Sequence, residues 1–324
     1  MSAPFVPLAG LADTDAPPPR VSVVMPVYNA AATIDATIAS VMAQTERDFE
    51  LIAVNDGSTD DSLARLLDWA AADPRLRVIS RDNAGVSAAR NLGVDLARAP
   101  LIAFIDADDL WHETKLAQHC ALHAGRGDAA ASYARIAFIA ADARGLDGAQ
   151  TCSSLCPHDP QLFDVLGENP VCTMSNLVVA RSAFVAAGGF DAALTHAEDQ
   201  DLVARLIDRG GALVGIDAVL TGYRFSRQGL SMDLDRMFAG WRTVAARFLP
   251  AGAARAQEAL YYRYLARRTL RSGGSGRLAL RYVVAGLRTD ARAFCAEYRR
   301  GLATIAAALV APLLPVRVRI RLFA

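Results

Sequence analysis

The sequence predicts an α/β domain with a mostly parallel central sheet, followed by a helical basic tail. Short apolar runs, typical of strands buried on both faces, alternate with segments of about 10–15 residues that have helical spacing. Polar and acidic residues follow several of these runs directly. Beyond residue 232 the strand pattern stops, and arginine is interleaved with leucine, alanine and tyrosine at helical spacing.

The N-terminal part of the chain predicts four strands separated by helices. The predicted strands are Val21–Val27, Phe49–Val54, Leu76–Ser80 and Leu101–Ile105. The predicted helices between them are Ala30–Gln44, Asp61–Ala72 and Val86–Ala97. Alternation of this kind favours βαβ units and therefore a parallel sheet.

The middle of the chain continues the pattern less regularly. The predicted elements are a helix at Lys115–Leu122, strands at Ala130–Ile139, Asn176–Ala180 and Ala212–Ile216, and a helix at Leu202–Ile207. Gly145–Asn169 has no period and predicts a loop region over the site. His119 and His123 are expected on an exposed helix face, and His196 is expected in a solvated loop.

These elements predict three parts of the 324-residue chain, which is long enough to bury a large core. Residues 1–19 are rich in proline and alanine and predict a flexible leader. Residues 20–232 form the α/β domain, and residues 233–324 form the helical, arginine-rich region.

Polar side chains stand at the carboxyl ends of the predicted strands, where open α/β sheets bind ligands. They are Tyr28 and Asn29 after the first strand, Asp56 after the second, Asn83 after the third and Asp106 after the fourth. Four strand ends that converge on one edge indicate a ligand site. Neither GxGxxG after the first strand nor GxxxxGK[ST] is present, which disfavours dinucleotide and P-loop sites.

Two acidic clusters indicate chemistry with a charged ligand. Asp106, Asp108 and Asp109 follow the fourth strand, and they need a positive partner because burying unpaired charge is costly. A divalent cation shared with a diphosphate is one such partner. Helix capping by Asp108 and Asp109, with Asp106 solvated, is the alternative. Glu198, Asp199 and Asp201 form the second cluster at a helix N-terminus, where carboxylates also complement the helix dipole.

The charge of the chain is balanced overall but strongly divided. From Trp241 to the end there are sixteen arginines and three acidic residues, about +13, so residues 1–240 carry about −13. The apolar run Leu302–Val316 contains two prolines and is shorter than the roughly 20 residues that a membrane span needs. A basic amphipathic tail predicts docking on an anionic membrane surface. Packed helices with arginines facing water are the alternative, and nucleic-acid binding is disfavoured because no recognised module is present.

Five cysteines at irregular spacing fit reduced thiols rather than a disulfide framework or a zinc site. The N-terminus lacks a basic segment followed by an apolar core, so no signal peptide is predicted. We therefore expect a cytoplasmic protein whose tail docks on the inner face of the cytoplasmic membrane.

Six segments occur in a characteristic order between about Arg20 and Ser231. They are VSVVMPVYNA, VNDGSTDDS, NAGVSAARNLG, FIDADD, GGFD and HAEDQDL. With these segments the chain resembles the family-2 glycosyltransferases of bacterial cell-envelope and exopolysaccharide synthesis, which have the GT-A nucleotide-diphospho-sugar transferase fold. Processive members of that family often carry QxxRW on a late helix. This chain lacks the motif, so transfer of a single sugar is expected.

The resemblance implies an inverting transferase that uses a nucleotide-diphosphate sugar, usually a UDP-sugar, and a divalent cation, Mg²⁺ or Mn²⁺. The implied acceptor is a hydroxyl group of a glycan or a lipid-linked molecule. The implied nucleotide-sugar contacts are Pro26, Tyr28, Asn29, Asp56, Ser58, Asn83, Gly85, Arg90 and Asp106. In this assignment Tyr28 lies against the base and Asp56 accepts a hydrogen bond from uracil. The implied metal ligands are Asp106 and Asp108, and the implied catalytic base is Asp199, with Glu198 as the alternative.

Two other functions stay open at this point. A nucleotidyltransferase on a similar fold needs a Gly-rich, basic phosphate loop, and Val21–Asn29 contains no glycine, lysine or arginine. A non-catalytic nucleotide-sugar-binding or scaffold protein would tend to lose its site carboxylates. Asp56, Asp106, Asp108 and Asp199 are all present, which disfavours that function.

Overall fold

The structure, a computed structural model, describes residues 5–9, 17–149, 151–224, 233–315, 318–319 and 322. The chain divides into two compact units. The first unit contains Met1–Pro160 and Val171–Arg224. The second contains Gln161–Pro170 and Phe225–Ala324, so a short internal segment groups with the C-terminal helices.

The strands of the first unit form one mixed sheet. They are β1 (Phe5–Ala9), β2 (Val21–Val27), β3 (Phe49–Asp56), β4 (Leu76–Arg81), β5 (Leu101–Phe104), β6 (Leu110–Trp111), β7 (Ala129–Ile139), β8 (Thr151–Cys152), β9 (Val178–Ala180) and β10 (Ala212–Arg224). Their spatial order is β1-β4-β3-β2-β5-β9-β7-β10-β6, with β8 paired to β7. The central strands β4, β3, β2 and β5 pair in parallel, as do β7 and β10. The predicted α/β class with a mostly parallel central sheet is confirmed.

Helices alternate with these strands and then continue alone. In the first unit they are α1 (Ile34–Met42), α2 (Ser62–Ala72), α3 (Val86–Asp95), α4 (Lys115–Gly125), α6 (Arg181–Ala187) and α7 (Glu198–Asp208). In the second unit they are α5 (Leu162–Gly167), α8 (Leu234–Phe248), α9 (Ala251–Arg271), α10 (Gly276–Phe294) and α11 (Tyr298–Val310). Short 3₁₀ turns lie at Met174–Asn176 and Ala311–Leu313.

The parallel strands bring their carboxyl ends to one edge of the sheet. β2 and β3 are buried along their whole length, because both are apolar on each face. In the ladder Val27 lies opposite Asn55, and Asp56 lies opposite Arg81. β5 pairs with the other side of β2. The residues that follow β2, β3, β4 and β5 therefore meet at this edge, as the sequence predicts.

The leader contains a strand that the sequence does not predict. β1 pairs antiparallel with β4, with Phe5 opposite Arg81, and Val6 and Leu8 are exposed. Proline is tolerated on an edge strand because one side of the strand needs no hydrogen-bond donor, so Pro7 does not prevent pairing. β1 forms because its backbone pairs with β4. It lacks the alternation of apolar residues that would predict a strand. Residues 1–4 and 10–16 of the predicted leader lie outside the described residues.

The predicted loop region 145–169 contains the helix α5. Gln161 and Asp164 form a capping box at its start. Val165 and Leu166 are buried, and the Trp241 indole N–H donates to the Leu166 carbonyl at 2.7 Å. One apolar turn between prolines carries too little periodicity for prediction, so packing within the second unit decides its conformation.

Lys115, the only lysine of the chain, lies in the core of the first unit together with His119. Lys115 Nζ is 3.2 Å from His119 Nε2 and donates to the Asn176 carbonyl at 3.3 Å. Burial lowers the pKa of Lys115 to about 7 and the pKa of His119 well below its usual value, so neutral forms are favoured. The expectation of an exposed His119 is wrong, because Ser132 Oγ on β7, 2.7 Å from His119 Nδ1, offers it a buried partner.

Buried ion pairs organise the second unit, whose predicted helical character is confirmed. Glu168 accepts hydrogen bonds from Arg263 at 2.8 Å and from Arg267 at 2.9 Å, and Arg300 lies 3.3 Å away. Burial by itself raises the pKa of Glu168, but the three arginines outweigh burial and hold that pKa below its usual range. Among the described residues, no helix is both long and apolar enough to cross a lipid bilayer.

Candidate active site

Asp56, at the end of β3, organises the loop that leads into α3. Its Oδ1 accepts a hydrogen bond from the Ala84 N–H at 3.0 Å, and its Oδ2 accepts one from the Gly85 N–H at 2.8 Å. Asn83 Nδ2 donates to the Asp56 carbonyl at 2.9 Å. Gly85 has a φ of +90°, a conformation that favours glycine. The buried Asp56 carboxylate therefore holds residues 83–85 in place.

Asn29 and Ser58 link the ends of β2 and β3. The Asn29 N–H donates to Ser58 Oγ at 3.1 Å, and Asn29 Oδ1 accepts from the Thr59 N–H at 2.8 Å. Asn29 has a φ of +50°, which asparagine adopts more readily than most residues. Beside it Tyr28 is 56% exposed and offers an aromatic face, whereas Pro26 is buried in β2. Pro26 therefore belongs to the core of the sheet.

Arg90 joins the two acidic clusters. Its Nη2 donates to Asp106 Oδ1 at 2.6 Å, and its Nη1 donates to Glu198 Oε1 at 3.1 Å. Arg90 is only 4% exposed, and its guanidinium carbon lies 5.3 Å from the centre of the Phe190 ring. Burial by itself lowers the pKa of Arg90, but Asp106 and Glu198 reverse this effect and raise it. One buried cation thus connects carboxylates that are far apart in the sequence.

The neighbours of Arg90 on α3 fix its position. An added Cβ at Gly93 would lie 2.4 Å from Val24 Cγ1, so only glycine lets α3 approach β2 this closely. Asn91 exchanges two hydrogen bonds with the backbone of Phe190, at 2.8 and 2.9 Å. α3 is therefore attached both to the sheet and to the segment that precedes α7.

Polar groups of the 3₁₀ turn that precedes β9, and of the residue that caps this turn, hold the end of β5. The Asp106 N–H donates to Ser175 Oγ at 2.9 Å. Thr173 Oγ1 lies 3.4 Å from a carboxylate oxygen of Asp106 and 3.4 Å from one of Asp109. Neither Thr173 nor Ser175 is predicted from the sequence, because both lie in an apolar stretch and reach the acidic cluster only through the fold.

Asp109 and Arg224 close the acidic cluster on its buried side. Asp109 Oδ1 accepts from the backbone N–H of Arg224 at 3.0 Å, and Arg224 Nη1 donates to the Asp108 carbonyl at 2.8 Å. Asp109 is 1% exposed. Burial, with the nearby charges of Asp108 and Asp106, raises its pKa well above the usual value. Asp109 is thus committed to internal structure rather than to a ligand.

Asp106 and Asp108 fit a divalent cation. Burial and the charge of Asp106 raise the pKa of Asp108 to about 6, because both disfavour its ionised form. A bound cation would stabilise the ionised form, and carboxylate oxygens are the ligands that Mg²⁺ and Mn²⁺ prefer. Both residues are partly exposed, whereas Asp109 is not.

Asp199 lies in the first turn of α7, next to Glu198. Its Oδ1 accepts from the Gln200 N–H at 2.7 Å. Burial raises the pKa of Asp199 to about 7, and the charge of Glu198 contributes in the same direction. A carboxylate with this pKa can accept a proton near neutral pH. Asp201 in the same turn is fully buried and paired with Arg205 at 2.7 Å, so it serves the structure of α7.

His196 differs from its expected place in a solvated loop. It is 7% exposed, and its Nε2 is buried without a hydrogen-bond partner among the described residues. The turn before α7 is itself packed, since Leu194 is also buried, and this packing removes the imidazole from water. A histidine beside a polar run carries no local signal that would predict this burial.

The chain belongs to glycosyl transferase family 2, whose sequence profile matches residues 22–186, about half of the chain. The uncharacterized glycosyltransferase EpsJ of Bacillus subtilis (strain 168) is 45% identical over 91 residues, which are 28% of this chain and 26% of EpsJ. The Escherichia coli UDP-Glc:alpha-D-GlcNAc-diphosphoundecaprenol beta-1,3-glucosyltransferase WfgD is 39% identical over 97 residues, 30% of this chain and 38% of WfgD. The matched stretches thus span less than half of either relative.

Solved structures extend the similarity to nearly the whole chain. S. aureus TarS 1-349 in complex with UDP-GlcNAc has a TM-score of 0.59 and 16% identity, and the match covers 89% of this chain and 90% of TarS 1-349. The mannosyltransferase PcManGT from Pyrobaculum calidifontis, in complex with GDP-Man and Mn²⁺, has a TM-score of 0.59 and 19% identity over 99% of this chain and 86% of PcManGT. The chain therefore has the GT-A fold with C-terminal helices.

Replacing Asp56 by asparagine should destabilise the protein itself. The amide would present an N–H₂ group to one of the two backbone N–H donors, and hydrogen bonds to a charged acceptor each contribute about 1.5–3 kcal/mol. We expect Asp56→Asn to lower the free energy of unfolding in urea by about 2 kcal/mol. The neighbouring exposed Asp82 provides the matched control Asp82→Asn. This variant is expected to change the free energy of unfolding by less than about 0.5 kcal/mol. Equal stability of the two variants would contradict the role given to Asp56.

Proposed function

We propose that this protein transfers a single sugar from a nucleotide-diphosphate sugar to a hydroxyl group of a glycan or lipid-linked acceptor in cell-envelope or polysaccharide synthesis. The observation that carries the proposal is the Arg90 bridge between Asp106 and Glu198. It connects a carboxylate pair suited to a cation with a carboxylate pair suited to accepting a proton. Sugar transfer from a diphosphate needs both functions.

The nucleotide is proposed to lie along the loops that follow β2, β3 and β4. The exposed ring of Tyr28 offers a stacking surface for the base. Each carboxylate oxygen can accept two hydrogen bonds, so Asp56 keeps acceptor capacity for a uracil N–H while it holds the loop. Asn83 and Gly85 are proposed to border the ribose. Ser58 and Asn29 support this edge from the other side.

Asp106 and Asp108 would hold Mg²⁺ or Mn²⁺, which when bound neutralises the negative charge that develops on the departing diphosphate. The presence of Mn²⁺ with GDP-Man in the PcManGT structure supports this assignment. Arg90 orients Asp106, and Ser175 fixes the backbone at the same residue. Because these two contacts fix Asp106, Asp108 is the ligand that can adjust its position more readily.

Asp199 is proposed as the general base. It takes the proton of the acceptor hydroxyl while that oxygen forms a bond to the anomeric carbon of the sugar. The bond from this carbon to the diphosphate oxygen breaks, and its electron pair leaves with the nucleotide. Attack opposite the leaving group inverts the configuration. The alternative base, Glu198, is tied to Arg90, which favours Asp199.

The names of the relatives support a UDP-sugar donor and a lipid-linked acceptor. WfgD is named for transfer from UDP-Glc to a sugar on diphosphoundecaprenol, and the TarS structure contains UDP-GlcNAc. PcManGT was solved with GDP-Man, so guanosine is the nucleotide to test against uridine. We propose a UDP-sugar as donor and a polyprenyl-diphosphate-linked sugar as acceptor.

Asp108→Ala should abolish cation-dependent nucleotide binding. Calorimetric titration of the wild type with UDP, GDP, CDP and dTDP is expected to show binding of UDP with Mn²⁺ and its loss with chelator. We expect affinity in Asp108→Ala to fall about 100-fold or more, since loss of even an outer partner of a metal site costs 10–100-fold. Exposed Asp95 on α3 provides the control Asp95→Ala, which should bind like the wild type. Equal binding by Asp108→Ala would contradict the assignment.

Asp199→Asn should retain donor binding and lose transfer. Loss of a general base costs about 10²–10⁴-fold in rate, and the isosteric amide preserves the shape of the site. The exposed Asp208 at the other end of α7 provides the control Asp208→Asn, with the parental rate expected. Transfer by Asp199→Asn at the parental rate would exclude Asp199 as base. Nucleotide binding with no turnover by the wild type on any acceptor would instead favour a non-catalytic binding protein.

The rate of transfer should depend on pH through Asp199. Its pKa is raised to about 7 by burial and by Glu198, and only the ionised carboxylate accepts a proton. We expect kcat/KM to fall about tenfold for each pH unit below 7 and to level off above it. The pH profile of Asp199→Asn should lack this fall in kcat/KM below pH 7. A flat profile of the wild type from pH 5 to about 8 would contradict the prediction.

A further inference from the structure

The second unit carries a basic stripe on an exposed face of α10. Arg277, Arg281 and Arg288 are all exposed, and Val284 between them is 38% exposed. With 3.6 residues per turn, positions i, i+4, i+7 and i+11 share one face of a helix. The stripe ends before Asp290, where the backbone leaves helical geometry. No acidic residue occurs between Gly276 and Arg288, so this part of the helix contains no counter-charge for the stripe.

An apolar stripe runs along the exposed face of α11 with the same spacing. Tyr298 is 68% exposed, Leu302 46% and Leu309 57%. A different face of the helix is buried, with Gly301, Thr304 and Ala308 turned inward. In the following 3₁₀ turn Leu313 is 83% exposed and continues the stripe. Exposed apolar side chains in a row on one helix face indicate contact with another apolar phase.

The two stripes belong to adjacent helices. The backbone of Ala311 and Pro312 packs so closely on Gly276 that an added Cβ there would lie 2.5 Å from the Ala311 carbonyl carbon. At the other end, an added Cβ at Gly301 would lie 2.9 Å from the Phe294 carbonyl oxygen. Close packing at both ends keeps α10 and α11 side by side. The basic and apolar stripes therefore run along one helical hairpin.

Two acidic residues of the second unit are already paired with arginines. Glu168 is held by Arg263 and Arg267, and Glu297 accepts from Arg263 at 2.6 Å. These pairs are internal to the unit, and the exposed arginines of α10 are not part of them. The stripe therefore presents three exposed arginines that an external anion can approach.

We infer that the α10–α11 hairpin docks on the surface of an anionic lipid bilayer. The arginines of α10 attract lipid phosphates, and the apolar stripe of α11 enters the boundary between headgroups and acyl chains. A soluble polyanion satisfies the arginines but buries none of the exposed Tyr298, Leu302 and Leu309, so the apolar stripe favours lipid. This inference goes beyond the proposed sugar transfer and does not depend on it.

Vesicle binding by the full chain tests the inference without any assay of activity. Sedimentation with phosphatidylcholine vesicles that contain about one-third phosphatidylglycerol should show binding that high salt weakens. Vesicles of phosphatidylcholine alone should bind far less. Each basic residue at an anionic surface strengthens binding about fivefold. The variant Arg277→Gln/Arg281→Gln/Arg288→Gln should therefore bind about 100-fold more weakly.

A control with the same loss of charge is available in the first unit. Exposed Arg47, Arg144 and Arg209 give the variant Arg47→Gln/Arg144→Gln/Arg209→Gln, for which binding like the wild type is expected. Circular dichroism and the melting temperature check that each variant is folded. Equal vesicle binding by the two triple variants, or absence of binding by the wild type, would overturn the inference.

A second variant separates lipid from a soluble polyanion. Leu302→Ser/Leu309→Ser changes two exposed side chains and should weaken vesicle binding about tenfold, because a smaller apolar surface is transferred from water into the bilayer. Its binding to polyphosphate or to a short DNA duplex should equal that of the wild type. Two results together would overturn lipid docking in favour of a polyanion. The wild type would bind these polyanions as tightly as it binds vesicles, and the serine variant would bind vesicles like the wild type.

Discussion

The ion-paired guanidinium of Arg90 is the interaction on which the rest of the site depends. A cation that is 4% exposed holds Asp106 from the end of β5 and Glu198 from the start of α7. Burying either carboxylate without this cation would be costly, because water no longer solvates the charge. Two acidic clusters from distant parts of the sequence can therefore approach each other only because α3 carries an arginine between them.

Several separate contacts in the fold place Arg90 between the two acidic clusters. Parallel pairing of β2, β3, β4 and β5 brings their carboxyl ends to one edge. Gly93 lets α3 pack closely on β2, and Asn91 holds the segment before α7 through the backbone of Phe190. Asp56 fixes the loop from which α3 starts. The sheet edge, α3 and the start of α7 thus form one connected framework in which each carboxylate has a distinct environment.

Much of this framework was predictable, because strand periodicity and strand-end residues are local signals. The central strands, the edge at which Asp56 and Asp106 stand, and the family all follow from short segments of sequence. Thr173, Ser175 and the buried His119 were not predictable, since each depends on a partner brought close only by the folded sheet. The strand β1 and the helix α5 were not predictable for a related reason: edge pairing and packing within the second unit, not apolar periodicity, decide their conformation.

A double-mutant cycle around Arg90 tests the central claim most directly. Free energies of unfolding in urea would be measured for Arg90→Met, Asp106→Asn, Glu198→Gln and the two double variants that contain Arg90→Met. We expect Arg90 to couple to each carboxylate by about 1–3 kcal/mol, which lies within the range of about 0.5–3 kcal/mol found for contacting residues in one ion-pair network. Additivity of either pair to within about 0.5 kcal/mol would contradict the claim that this guanidinium holds both acidic clusters.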